Sequence, residues 1–300
     1  KFNISALTRD GEPFRPCVFF EHRNSTSQLQ MPLAISGNKA LFHIKCDAGS
    51  GGLYVRVAAH DPTYAIFYAE SGYFAVQSSV SEIKITGGAI GGVLLSRAAS
   101  THAFRLQVSD APISPLTLAF SLSSSTALES GGESDSSCSF SRSSVLWEPI
   151  TSLVIRSNTA SSDPFYIKCY VASKTVNLIG TGLLDSAVQM RGILAVQDGN
   201  PMIRSGFFGG ALLKSTMSES SVSFTLATPA SFDLNFRISA LSSSTTSGAA
   251  CKYFQLGAPI SILTVPSEST TAANFSVMCA AAFTGVKISI QGEKDPSVQI

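Results

Sequence analysis

The chain has 300 residues, 44% hydrophobic and only 14% charged, against roughly a quarter charged in an average globular protein. Its 21 basic and 20 acidic residues leave a net charge of +1, which gives nucleic-acid binding no electrostatic footing. No run of about 18 apolar residues occurs, so no membrane-spanning helix is expected.

Read in chain order, the pattern is one of strands. Residues 1–70 open with an apolar/polar alternation at Phe2-Asn3-Ile4-Ser5-Ala6-Leu7 and carry Cys17 and Cys46. Leu53 to Val57 and Tyr64 to Tyr68 read as two additional strands. Residues 71–86 form an apolar connector. Residues 87–183 run from a double-glycine turn through Val93–Ser96, Phe104–Val108 and Leu116–Leu122 to strands holding Cys138 and Cys169. A second connector covers 184–204. Its Val188, Met190, Ile193, Leu194 and Val196 are too apolar for a flexible linker and predict strands packed on a neighbouring unit. Residues 205–300 repeat the scheme around Cys251 and Cys279. Alternation at period two, broken by Gly, Ser, Pro and Asp clusters, predicts half-buried strands and turns, with almost no helix.

The cysteines fall 29, 31 and 28 residues apart, one pair per unit. The repeat extends beyond them. Phe74-Ala75-Val76-Gln77 returns as Leu194-Ala195-Val196-Gln197, Gly91 to Leu95 returns as Gly209 to Leu213, and Asp185 to Met190 returns as Asp295 to Ile300. A fixed period with several independent anchors indicates a tandem array. The expected fold is all-β: tandem antiparallel β-sandwich modules of about 110–120 residues, each closed by one disulfide. Even cysteine pairing suits an oxidising compartment, and a start at Lys1 without a leader sequence reads as a processed, secreted form. Spacings near thirty residues do not suit zinc, so no metal and no cofactor is expected.

The first unit stands apart. Residues 1–70 contain the second half of a unit and lack the double-glycine turn and the two strands that follow it. Three readings fit: the chain is part of a longer array, the strands at Leu53–Val57 and Tyr64–Tyr68 compensate, or another copy supplies the missing strand.

Chemistry is sparse. His22, His43, His60 and His102 sit in strand or turn contexts, and no G-x-S-x-G elbow accompanies them. Glu129, Glu133 and Asp135 fall in a Ser/Gly-rich loop. The chain is therefore expected not to be an enzyme. N-x-[ST] sequons at Asn3, Asn24 and Asn274 are candidate glycosylation sites, with Asn24 in the most polar setting. Tyr64, Phe67, Tyr68, Tyr73 and Phe74 form an aromatic cluster read as core or interface, and the lone Trp147 as a core or inter-unit plug or a sugar platform.

The strand succession at Ala103–Val108, Leu116–Ser123, Cys138–Arg142, Ser152–Ser157, Phe165–Tyr170 and Thr175–Ile179 resembles the pre-peptidase C-terminal type of secreted β-sandwich over about 90 residues per unit. An immunoglobulin-like sandwich fits nearly as well. The acidic turn of the former type has only a partial echo in Gly132-Glu133-Ser134-Asp135 and none in Gly248-Ala249-Ala250, so no calcium role is carried over.

The expected role is a structural subunit of an extracellular filament, surface hair or coat. It would assemble head-to-tail with other copies and carry covalent glycans, with no nucleic-acid partner. An adhesin or carbohydrate-binding ectodomain is the alternative, and a non-catalytic accessory region of a secreted hydrolase the third.

Overall fold

A computed structural model describes residues 2–20, 31–33, 41–59, 61, 68–78, 83–124, 138–184, 186, 188–200, 202–205, 212–242, 250–272, 274–281 and 286–299. Among them every regular element is a strand. No helix is long and apolar enough to cross a membrane.

The second unit is the most complete. One sheet runs Ser152–Ile155, Leu116–Ser124, Ser173–Gly182, Gln189–Gln197 and Val93–Leu95. The last pair is parallel, within an otherwise antiparallel sheet. The facing sheet joins Pro149–Ile150, Cys138–Ser141 and Tyr166–Cys169. Bridges at Ala99–Lys168, Phe104–Phe165 and Gln107–Ser161 then attach Phe104–Gln107 and its partner Lys84–Gly87 to its edge. Alternation places the core. In Phe104–Gln107, Phe104 and Leu106 are buried while Arg105 is exposed. Phe104, Phe120, Phe140 and Phe165 meet between the sheets, with Phe120 and Phe140 stacked at 4.3 Å. Each buried phenylalanine contributes about 1.5–3 kcal/mol.

The third unit repeats this plan in Ile262–Val265, Leu234–Ser242 and Val286–Gly292, facing Ala258–Ile260, Cys251–Gln255 and Ser276–Cys279. Met202–Ser205 pairs with Val222–Thr225, which bridges to Phe275 and Thr271. Agreement reaches single dihedrals: Arg97 and Ser215 have φ of 61° and 57°, and Asn158 and Glu268 both 60°, each pair at matching positions.

In the first unit Phe2–Thr8 lies between Met31–Leu33 and Ser50–Ala59. Leu53 to Val57 is not an additional strand. It belongs to Ser50–Ala59, which pairs with Phe2–Thr8 as Ser173–Gly182 pairs with Leu116–Ser124. Among the described residues, the facing sheet is Cys17–Phe20 with His43–Cys46.

Each connector divides into two strands. Phe74–Val76 and Gln189–Gln197 close the sheet of the unit before them. Lys84–Gly87 and Met202–Ser205 open the sheet of the unit after.

Candidate functional site: the joints between units

Gln197 ends its closing strand, and Gln77 directly follows the closing strand Phe74–Val76. The Gln197 side-chain amide donates to the Thr228 carbonyl at 2.6 Å, and its oxygen accepts the Thr228 N–H at 2.9 Å. Gln77 does the same to Asp110, at 3.1 and 3.0 Å. A primary amide matches a backbone N–H and C=O as a strand neighbour would, so one side chain extends the ladder into the next unit. A second contact also recurs. The Ile113 N–H donates to Gly51 O at 2.7 Å, and the Ser231 N–H donates to Lys174 O at 3.4 Å, at equivalent places in the two joints.

Around this shared pair the joints differ. In the first, the Ser78 N–H donates to the Asp110 carboxylate at 2.9 Å and the Ser109 hydroxyl to Gln77 Oε1 at 3.0 Å. Partial burial opposes the charge of Asp110, but hydrogen bonds from Ser109 and Ser78 prevail and hold its carboxyl below the usual range. Gly49 admits this approach: a Cβ there would lie 2.5 Å from Asp110 Oδ2 and 2.6 Å from Ser78 Cβ.

In the second joint the contact is wider. Val93 and Ala195 face the third unit's core, which is why burial is continuous over Leu194–Gln197. The buried Asp295 carboxylate accepts the His102 N–H at 2.9 Å, and Lys294 O lies 2.9 Å from His102 Nδ1. Gly92 lets Lys294 pass; a Cβ there would fall 2.8 Å from Lys294 Cβ. Thr175 and Ser231 hydroxyls are hydrogen-bonded, and Lys174 pairs with Glu268 at 2.6 Å. That exposed pair is worth at most about 1 kcal/mol.

The remaining sequence candidates are dispersed. The disulfides Cys17–Cys46, Cys138–Cys169 and Cys251–Cys279 each join directly opposed residues of adjacent strands in one sheet. The immunoglobulin disulfide instead crosses between sheets, so that alternative does not describe these bonds. Asn3 is half-buried in a central strand, Asn274 is exposed, and Asn24 lies outside the described residues, as do Tyr64, Phe67, His22 and His60. Tyr68 and Tyr73 are exposed and Phe74 packs on the first core. Tyr73 meets Tyr54 edge-on, while Arg56 lies over Tyr68 and pairs with Glu70.

Trp147 is neither a core nor an inter-unit plug. It is half-buried on the outer face of the second unit, donating Nε1–H to Ser139 Oγ at 3.1 Å, and Ser139 Oγ lies 3.2 Å from the Tyr170 hydroxyl. Glu129, Glu133 and Asp135 lie outside the described residues, within which no group of three or more His, Cys, Asp or Glu side chains could hold a metal ion.

The glutamines stood in the sequence as members of a repeated tetrapeptide. Nothing local marked them as the groups that cross between units, because their partners lie 33 and 31 residues on.

No protein-family model matches the chain, and no curated protein matches it. Among solved structures, the secreted serine protease VesC from Vibrio cholerae aligns with 76% of this chain at 12% identity and a TM-score of 0.24. The aligned region spans 55% of that protein, and a likeness of this degree carries no argument about role.

Proposed function

We propose that the chain is a structural subunit of an extracellular filament, surface hair or coat, built by head-to-tail stacking of β-sandwich units. The observation that supports this reading is the recurrence of one joint: an amide clamp and a backbone hydrogen bond at matching positions in both junctions. A head-to-tail contact that repeats without closing yields an extended array rather than a ring. Three disulfides with no free cysteine fit an oxidising, extracellular setting. The role is non-catalytic, and Asn274, exposed beside its strand, is the described sequon best placed to carry glycan.

Electron microscopy of the intact chain at high concentration tests the proposal. Rods or fibres with a regular axial repeat are expected, whereas monodisperse monomers at every concentration overturn it.

One observation favours the adhesin reading. Trp147, Ser139 and Tyr170 form a hydrogen-bonded outer platform with the Lys168 ammonium 5.5 Å from the Tyr170 ring centre. Saturable recognition of one sugar on a glycan array, lost in Trp147→Ala, would replace the filament reading with this one.

A further inference from the structure

The two joints use opposite sizes at the same places. At equal distance past the second cysteine of its unit, the first unit has Gly49, Gly51 and Gly52, and the second has Ala172, Lys174 and Thr175. Strand register gives the same match, since Leu53 faces Thr8 as Val176 faces Ser124. None of the three glycines has the positive φ that would call for glycine. What they supply is room. A Cβ on Gly51 would overlap the Ala111 carbonyl oxygen, and one on Gly52 would overlap the Ile113 side chain at Cδ1 and Cγ1. Gly52 is buried. Gly49 is closed off in the same way by Asp110 and Ser78.

The second joint reverses this. Ser231 stands where Ile113 stands, its N–H on Lys174 O as the Ile113 N–H is on Gly51 O. Thr175 takes the place of Gly52, and its hydroxyl is hydrogen-bonded to that of Ser231. Lys174 takes the place of Gly51 and reaches Glu268. The counterpart of Glu268 in the second unit is the uncharged Asn158. Their N–H groups donate to the matched carbonyls Ala230 O and Pro112 O at 2.7 and 2.6 Å. A large side chain thus sits on bare backbone in one joint, and a small one on a branched side chain in the other.

We infer that this size exchange fixes which unit follows which. The glycine seat of the first unit selects the Asp110–Ile113 corner of the second, and Lys174 with Thr175 select the Thr228–Ser231 corner of the third. The exclusion works in both directions. Ile113 set on a threonine meets the carbon that Gly52 lacks, an overpacked contact that close-packed surfaces do not absorb. Ser231 set on glycine leaves a gap and loses the hydroxyl partner that Thr175 provides. Units of similar plan in one chain are prone to pair out of order, within a molecule or between copies. A misfit against the wrong neighbour suppresses that error. The inference goes beyond the filament reading and does not depend on it, because both contacts lie within one chain.

Amide hydrogen exchange on the full chain tests it. Gly52→Thr should speed exchange at Ser78 and Asp110 by about tenfold or more and leave Thr228 unchanged. Adding Ile113→Ser, which copies the pair used in the second joint, should return both amides to within about threefold of the parent chain. The reciprocal arm uses the other joint. Ser231→Ile should speed exchange at Thr228 by about tenfold or more, and adding Thr175→Gly should restore it. The inference is overturned if Gly52→Thr leaves Ser78 and Asp110 as protected as before, or if either added substitution restores nothing. Loss of protection along Phe2–Thr8 in Gly52→Thr that Ile113→Ser does not repair also overturns it, because the glycine would then serve the fold of the first unit alone.

Discussion

Tyr253 occupies the position that Phe140 has in the second unit, facing Val277 as Phe140 faces Ile167. Its ring packs edge-on to Phe275, but its hydroxyl is buried with no hydrogen-bond partner among the described residues. An unsatisfied buried hydroxyl costs about 1–3 kcal/mol. Tyr253→Phe is therefore expected to raise the stability of the third unit by about 1 kcal/mol, read as a higher urea midpoint. Burial also pushes the phenol up to about 12. The folded form then holds its proton after the unfolded chain, titrating near 10, has lost it. Stability from this group is whole below about pH 10 and falls as pH rises toward 12. The Tyr253→Phe chain should lack that component of alkaline destabilisation.

At the scale of elements, the disulfides act on small sheets. Closing loops of 28–31 residues contributes roughly 3–4 kcal/mol each in the chain-entropy account. The units do not depend on it equally. Among the described residues, the second unit has a deep aromatic core, whereas the first has a small buried set around Ile4, Phe19, Leu53 and Val55 beneath the pair Cys17–Phe20 and His43–Cys46. Cys138→Ala with Cys169→Ala should lower the melting temperature while leaving the second unit folded. Cys17→Ala with Cys46→Ala should unfold the first unit outright, with loss of amide protection along Phe2–Thr8 and Ser50–Ala59.

Across the whole molecule, the joints decide whether the units behave as a rod or as beads. Gln197 is fully buried and bonded twice to Thr228, whereas Gln77 is half-buried. Gln197→Ala leaves a backbone N–H and C=O of Thr228 unpaired inside the joint, at about 1–3 kcal/mol. Small-angle scattering should then report bending between the second and third units, and protease should cut near 198–201. Gln77→Ala should have the same effect on the first joint but a smaller one, because water reaches its partners.

The all-β character, the strand positions and the cysteine spacing were legible in the sequence, since alternation and separation along the chain are local properties. Phe104-Arg105-Leu106-Gln107 declares a buried face whatever lies beside it. Two readings went astray because they needed neighbours. Leu53–Val57 looked additional until its partner Phe2–Thr8 identified it as the ordinary counterpart of Ser173–Gly182, and Trp147 looked like a plug until its place on an outer sheet face was known. What the linear chain settled by itself was which segments become strands. Which strand lies beside which, and so what Gln77 and Gln197 hold, was decided only in three dimensions. Hydrogen-bond partnership and burial are set by residues distant in sequence, which no local pattern encodes.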